Sequence, residues 1–370
     1  MRGKHLTKST YTNPQVSPLN RVNKLKQLAT KQGKPQTAAV FNQYNIVYFT
    51  NFSGATALLI PLDGTPILYV SGTNYQQAKA EVKGGFNIEL IKRGESVMQK
   101  IAAQAPRCKL AVDTLPIESW RALGSAVGGE EKLEASSSLF RELRIVKDTE
   151  EIKLISEACR MADYGAVAAA QAIRAGITQT EIAAEAEYAM RKAGSDGVAF
   201  ETIVSAGVNC AYPHGATAER TVREGDFVTV DLGATNQFYR SDVSRTFIVG
   251  KPTEKKRSIY QAVQHAHQKG YEKIAEGVAA CKVDWAAWRV IDKAGFGNYF
   301  VHNLGHGVGL EVHEAPVLSP DSKDVLAAGM VVTDEPGIYI PEFGGVRIED
   351  TILVTKDGAI KLTNAPVFEP

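Results

Sequence analysis

Cysteine is scarce in this sequence: its four residues are scattered, and no two of them form a CxxC pair. That spacing argues against an oxidised framework and against a cysteine zinc site. No apolar run reaches the length of about 18 residues that a membrane span needs, and no signal-peptide stretch follows MRGKHLTKST. The 42 basic residues nearly balance the 41 acidic ones, so nucleic acid and membrane surfaces are not expected partners. We therefore expect a cytoplasmic protein.

The chain is long enough for two domains, and its pattern changes part-way along. Residues 1–20 are polar and without periodicity, which predicts a mobile arm. Residues 21–145 alternate short strands and helices, which is typical of a small α/β domain. Residues 146–370 alternate long helices with β-rich stretches and form the predicted catalytic domain. We place the boundary within about residues 140–148.

Local signals support this division. Asp63-Gly64 stands between two apolar runs and predicts a β-hairpin. In the second domain, Asp148 with Glu151 and Thr178 with Glu181 have the spacing of capping boxes at the start of two helices.

The chemistry of the second domain begins in the stretch GDFVTVDLGATNQFYRSDVSRTFIVG, residues 225–250. Asp231 ends an apolar run, and Asp242 stands in a second strand-like run. A turn at Asn236-Gln237 would place the two aspartates opposite each other, with Cβ atoms about 5 Å apart. Carboxylates in that arrangement repel each other unless a cation lies between them.

The stretch MVVTDEPGIYIPEFGGVRIEDTILVT, residues 330–355, repeats this arrangement with glutamates. Glu335 follows an apolar run, and Glu349 lies beyond a Pro-Glu-Phe-Gly-Gly turn. A hairpin centred near Glu342 would bring the two glutamates opposite one another. Because the strands are otherwise apolar, we expect both pairs of carboxylates to point into a partly buried cleft.

Three of the seven histidines fall between the two hairpins, in VHNLGHGVGLEVHEAP: His302, His306 and His313. Neutral imidazole is the commonest metal-binding side chain. Four carboxylates and one histidine in apolar surroundings would carry a charge of about −4, which is prohibitive to bury unpaired. Two divalent cations would cancel it, and the oxygen-rich ligand set suits Mn, Co, Fe or Zn. The alternative is a plain two-domain α/β protein with incidental carboxylates, which would purify without metal.

The motifs VDLG, SDVSRT, LGHGVGLEVHE, DEPGIY and RIED resemble those of the pita-bread metallopeptidases, which include aminopeptidase P, prolidase, methionine aminopeptidase and creatinase. The resemblance runs from about residue 25 to the end. It implies an α/β, creatinase-like N-terminal domain followed by an α+β pita-bread catalytic domain with pseudo-two-fold symmetry. Five metal ligands carry over one by one: Asp231, Asp242, His306, Glu335 and Glu349. By resemblance, Asp231 holds one metal, His306 and Glu335 hold the other, and Asp242 and Glu349 bridge them.

Other positions match the family's catalytic residues. His214 in YPHG is similar to a histidine that lines the substrate pocket, and His302 and His313 to a pair that contacts substrate. Arg347 is similar to an arginine of the proline-specific members, and it lies on the same strand face as Glu349. The implied mechanism is attack by a hydroxide that bridges the metals, with Glu335 as proton acceptor.

The N-terminal domain and LEVHEAP indicate the Xaa-Pro branch, whose substrates are peptides with proline in second position. We therefore expect hydrolysis of the N-terminal Xaa-Pro bond, as in aminopeptidase P or prolidase. Some prolidases carry an arginine four residues after the histidine matched by His313, whereas this chain has Val317, which weakens the strict dipeptidase interpretation. Methionine aminopeptidase-like activity and a non-catalytic pita-bread binding protein are the alternatives. The resemblance also implies a homodimer.

Overall fold

The computed structural model of the chain describes residues 18–105, 109–215, 220–368 and 370. The chain forms two compact units that divide between Arg144 and Ile145. No helix of these ranges is long and apolar enough to cross a membrane.

Most of the expected N-terminal arm lies outside the described residues, but its last three residues are helical. The helix begins at Pro18, a residue that favours the first helical position because its fixed φ suits the helix. Val22, Leu25 and Ala29 follow at helical spacing and are at most 3% exposed. The prediction of an arm up to residue 20 is therefore wrong at its end, because this apolar stripe packs into the first unit.

The first unit is an α/β layer structure. Its elements are α1 Pro18–Lys31, β1 Thr37–Val40, α2 Gln43–Thr50, β2 Ala57–Ile60, β3 Ile67–Ser71, α3 Tyr75–Glu81, β4 Asn87–Ile91, α4 Val97–Gln104, β5 Leu110–Val112, α5 Ile117–Val127, β6 Leu133–Ala135 and α6 Ser137–Ile145. The sheet order is β4-β3-β2-β1-β5-β6. Strand β2 pairs antiparallel with both β1 and β3, and the outer strands pair in parallel. The hairpin predicted at Asp63-Gly64 is confirmed, because it joins β2 to β3.

The second unit contains two similar halves, each with a pair of helices followed by antiparallel strands. The first half comprises α7 Thr149–Ala172, α8 Gln179–Lys192, β7 Gly197–Val198, β8 Ile203–Ala206, β9 Phe227–Leu232, β10 Ala234–Asn236, β11 Tyr239–Arg240 and β12 Val243–Ile248. The second half comprises α9 Glu254–Lys273, α10 Ala280–Lys293, β13 Gly305–Gly307, β14 Glu314–Leu318, β15 Val331–Asp334, β16 Gly337–Ile340, β17 Gly344–Arg347, β18 Asp350–Thr355 and β19 Gly358–Lys361.

Each half has its own apolar core between helices and strands. In the first half, Ile182 of α8 packs with Val204 and Val230 of the sheet. In the second half, Val263 of α9 packs with Val332. Because the helices cover one side of the strands, polar residues that alternate with this core are directed to the other side, where the site lies.

Both predicted capping boxes are present. Asp148 accepts from the N–H of Glu151 at the start of α7, and the Glu151 carboxylate accepts from the N–H of Asp148. At the start of α8, Thr178 Oγ1 accepts from the N–H of Glu181 at 3.2 Å, and Glu181 accepts from the N–H of Thr178 at 2.8 Å. Each box satisfies backbone donors that the first helical turn leaves without intrahelical partners.

The substitution Thr178→Ala should lower the free energy of unfolding by about 1 kcal/mol, the usual effect of losing an N-cap oxygen. Urea titration followed by far-UV circular dichroism measures the change. Thr178→Ser keeps the cap hydroxyl and serves as the control. Equal losses in the two variants would contradict this role for the hydroxyl.

Candidate metal centre

Asp231 lies in β9 and Asp242 immediately precedes β12, but the two strands pair in a different register from the one predicted. Ser244, not Asp242, lies opposite Asp231, so the predicted register is wrong by two residues. The turn falls at Gln237 and Phe238, whose φ angles are 45° and 75°. A shift of two residues keeps every side chain on its face of the sheet, and Asp231 and Asp242 accordingly line the same cavity.

The predicted register of the glutamate hairpin is confirmed. Asp334 pairs with Asp350 between β15 and β18, and Gly337 pairs with Arg347 between β16 and β17. Glu335 and Glu349 lie between these two ladders in the same register. The sequence turns near Glu342, whose φ is 61°.

Strand β13 brings His306 against the glutamate strands. His306 Nε2 lies 3.2 Å from Glu335 Oε1 and 3.7 Å from Asp242 Oδ2. Thr333 fixes this contact, because its hydroxyl accepts from the N–H of His306 and donates to Glu335 Oε1. A Cβ at Gly305 would collide with the carbonyl oxygen of Thr333, so the close approach of β13 requires glycine there.

A cavity of about 490 Å³ collects the residues singled out in the sequence. Those that line it are Asp231, Asp242, His306, Glu335, Glu349, His214, His302, His313 and Arg347. The remaining walls are largely apolar and include Phe200, Ile203, Pro213, Val312 and Val317. A cavity with apolar walls and a small group of converging polar side chains is typical of a ligand site.

The donor set of this cavity fits divalent metal. Asp242, His306 and Glu349 each offer a ligand atom within 4.8 Å of the others. Asp231 Oδ1 and Glu349 Oε1 are buried and have no hydrogen-bond partner among the described residues. Unpartnered buried carboxylate oxygens are costly, and a cation bound between them would remove that cost.

Burial is the main cause of the perturbed acidity of these carboxyl groups. It raises the pKa of Asp242 well above its ordinary value, and the negative charges of Glu349 and Asp231 raise it further. The pKa of Glu349 is likewise raised well above its ordinary value by burial and by the charge of Glu335. Without a cation, these two carboxyl groups therefore favour the protonated form more than ordinary carboxyl groups do.

Glu335 and His306 form the exception. Burial opposes ionisation of Glu335, but the hydrogen bond and charge of His306 lower its pKa to about 2. Burial also opposes protonation of His306, yet the bond to Glu335 raises its pKa above the ordinary value. The contact between His306 and Glu335 therefore favours the charged form of each group.

Arg347 organises the opposite side of the centre. Its Nη2 contacts Asp231 Oδ2 at 2.7 Å, its Nε donates to Ser244 Oγ at 2.8 Å, and its Nη1 donates to the hydroxyl of Tyr339 at 2.9 Å. The Ser244 hydroxyl donates in turn to Glu349 Oε2 at 2.8 Å. Arg347 is 3% exposed, and its buried charge is matched by Asp231 and by three hydrogen-bond acceptors, the third being the carbonyl oxygen of Pro213 at 3.2 Å.

Three further histidines line the cavity at different depths. His302 Nε2 lies 2.8 Å from the Tyr339 hydroxyl. The ring of His313 lies 4.2 Å from that of His306, and burial followed by the His306 charge lowers the pKa of His313. His214 is exposed at the rim of the cavity.

Ser244 and Tyr339 belong to this network but were not among the residues selected from the sequence. Ser244 could have been found from strand alternation, because it stands two residues after Asp242 on the same face. Tyr339 had no such signal, since its partners Arg347 and His302 are set by tertiary contacts.

Comparisons with known proteins agree with this architecture. The model of metallopeptidase family M24 matches residues 153–356, and the creatinase/prolidase N-terminal domain model matches residues 21–146. The chain belongs to metallopeptidase family M24. It is 39% identical to the Xaa-Pro dipeptidase of Pyrococcus furiosus over 325 residues, which cover 86% of this chain and 90% of that protein.

Solved structures of other family M24 members have the same fold. An Xaa-Pro dipeptidase from Bacillus anthracis superposes with a TM-score of 0.89 at 35% identity, with coverage of 95% of this chain and 99% of that one. An X-Pro aminopeptidase from Thermotoga maritima gives a TM-score of 0.82 at 32% identity, with coverage of 90% and 97%. The predicted fold class, the Xaa-Pro branch and the metallo-exopeptidase class are thereby confirmed.

Replacing Arg347 by methionine should destabilise the metal-free protein by about 3 kcal/mol, because Asp231 is left as an uncompensated buried carboxylate. Arg347→Lys keeps a positive charge but cannot reach three partners at once, so its loss should be smaller. Chemical unfolding of the three proteins in chelator measures the difference. A methionine variant within about 0.5 kcal/mol of the parent would contradict the assigned role.

Proposed function

We propose that this protein is an Xaa-Pro peptidase that uses two divalent metal ions to release the N-terminal residue preceding proline. The observation that carries the proposal is the convergence of two aspartates, two glutamates and His306 on one largely apolar cavity. Similarity to Xaa-Pro dipeptidases along most of the chain supports the substrate class.

In this proposal, Asp231 would hold one ion, His306 and Glu335 would hold the other, and Asp242 and Glu349 would contribute to both. The short distances among Asp242, His306 and Glu349 support a common cation site. Bound divalent ions would supply Lewis acidity and acidify a water molecule. Mn²⁺, Co²⁺, Fe²⁺ and Zn²⁺ are all compatible with this mixed oxygen and nitrogen donor set.

The side chains of this chain would handle protons and orientation. Glu335, whose Oε1 lies 3.2 Å from His306 Nε2, would accept the proton of the attacking water and deliver it to the leaving proline nitrogen. Burial lowers the pKa of His313 and so favours its neutral form, which would donate one N–H to the developing oxyanion. His302 is held by Tyr339 and would orient the substrate.

The chemistry of a peptide bond before proline is compatible with the apolar walls of the cavity. Its nitrogen carries no hydrogen, so the site needs no acceptor for an amide N–H on that side of the scissile bond. The cavity walls at Phe200, Ile203, Val312 and Val317 would suit apolar substrate groups. Val317 is 38% exposed there and offers no positive charge to the carboxylate of a dipeptide. The length of the preferred substrate is therefore a question for the hydrolysis assay.

Hydrolysis by protein reconstituted with Mn²⁺ or Co²⁺ tests the proposal. The substrates are an Xaa-Pro dipeptide, an Xaa-Pro-Xaa tripeptide and a Met-Ala-Ser peptide. Cleavage of the dipeptide alone identifies a prolidase, and cleavage of the tripeptide before proline identifies an aminopeptidase P. Methionine release would instead indicate the methionine aminopeptidase-like alternative. No metal-dependent cleavage of any peptide would contradict an enzymatic function and favour a binding protein.

A homodimer and a cytoplasmic location stay predictions from resemblance and composition. Light scattering of the purified protein tests the first, and cell fractionation the second.

Asp242→Ala should abolish hydrolysis and the binding of both ions, because the proposal has Asp242 shared between them. Inductively coupled plasma analysis after dialysis counts the metal, and the peptide assay measures activity. Asp321→Ala, in an exposed loop of the same unit, is the control and should keep both. Retention of two ions by Asp242→Ala would contradict the shared role.

Metal affinity should fall as the pH is lowered from 8 to 6. The raised pKa values of Asp242, Glu349 and His306 mean that the metal-free centre holds protons which the ions must displace. Each proton released should weaken binding by about tenfold per pH unit. Calorimetry in two buffers of different ionisation enthalpy measures the number of protons released on metal binding. Release of no protons at pH 8 and at pH 6 would contradict this prediction.

A further inference from the structure

Asp284 is a buried carboxylate that the proposed mechanism does not use. It stands in the second turn of α10 and is 3% exposed. Its Oδ1 accepts a hydrogen bond from the backbone N–H of Leu304 at 2.9 Å. No basic side chain within the described ranges forms an ion pair with it, so the peptide N–H of Leu304 is its principal partner.

The backbone of Leu304 connects Asp284 to two of the proposed metal ligands. The carbonyl oxygen of Leu304 accepts from the backbone N–H of Glu335 at 2.9 Å. His306 follows Leu304 by two residues on the same short segment. The two bonds use the N–H and the C=O of the same residue, so together they fix the backbone of Leu304 between Asp284 and Glu335.

The helix gives Asp284 a fixed base. Val283, Ala287 and Ile291 on α10 have no solvent exposure and belong to the core of the second half. A carboxylate on a tightly packed helix can hold a neighbouring segment more narrowly than a loop residue can. Burial raises the pKa of Asp284 to about 6, and the hydrogen bond from the Leu304 N–H opposes that rise.

We propose that Asp284 is a positioning residue. Through the backbone of Leu304, it holds in place His306 and Glu335, the two ligands that serve only one of the proposed metal ions. This inference rests on the proposed two-ion function. The ligand of the other ion, Asp231, is supported separately by Arg347. Loss of Asp284 should therefore weaken one ion much more than the other.

The matched variants are Asp284→Ala, which removes the acceptor, and Asp284→Asn, which keeps an oxygen acceptor in nearly the same shape. Asp292→Ala is the control, because Asp292 is exposed on the same helix. Metal-free proteins are titrated with Co²⁺ alone, by calorimetry and by the visible absorption that reports the coordination geometry of each ion.

Asp284→Ala should bind one Co²⁺ within threefold of the parent affinity and the other at least about tenfold more weakly, the usual effect of losing a residue that orients a ligand. Asp284→Asn and Asp292→Ala should bind both ions like the parent. Two parent-like affinities and an unchanged spectrum in Asp284→Ala would overturn the inference, as would equal weakening of both ions.

The fold of each variant is checked by circular dichroism before titration. If Asp284→Ala is unfolded, Asp284→Ser is used. The serine side chain is too short to bond to Leu304 but leaves a smaller cavity than alanine does. Failure of both to fold with and without Co²⁺ would make Asp284 a folding residue and overturn the inference. A parent protein that binds fewer than two Co²⁺ ions would instead contradict the proposed function.

Discussion

Four carboxyl groups converge on one cavity of the second unit, and the cost of ionising them together constrains everything around them. Burial and mutual repulsion raise the pKa values of Asp242 and Glu349. The protein meets this cost from two sides. Arg347 neutralises Asp231, and His306 supports Glu335. Divalent cations would balance the negative charge that remains. The electrostatic cost of burying the carboxylates and the expected affinity for metal therefore have the same origin.

The repeated architecture explains how such a centre can be built. Each half of the second unit supplies one pair of carboxylates from antiparallel strands, and its helices cover the face away from the cavity. Strands hold most of the ligands, while Leu304, just before β13, accepts a hydrogen bond from the backbone N–H of Glu335 and donates one to the carboxylate of Asp284. The two metal positions proposed for the cavity thus have different supports within one fold.

Much of this could be predicted from the sequence, because charge and alternation are local properties. The register of the glutamate strands followed from a turn that contains two glycines. The aspartate register did not, because Gln237 and Phe238 adopt positive φ, which their residue types do not signal. The error left the site intact, since a two-residue shift preserves the face of each side chain. Asp284 was missed because its partner is a backbone group twenty residues away.

The most direct test is an anomalous difference map from a crystal grown with Mn²⁺, collected at the manganese absorption edge. We expect two peaks about 3.5–4 Å apart, both flanked by Asp242 and Glu349, with one beside Asp231 and the other beside His306 and Glu335. A single peak, or none among these carboxylates at saturating Mn²⁺, would contradict the view that paired cations balance the buried charge.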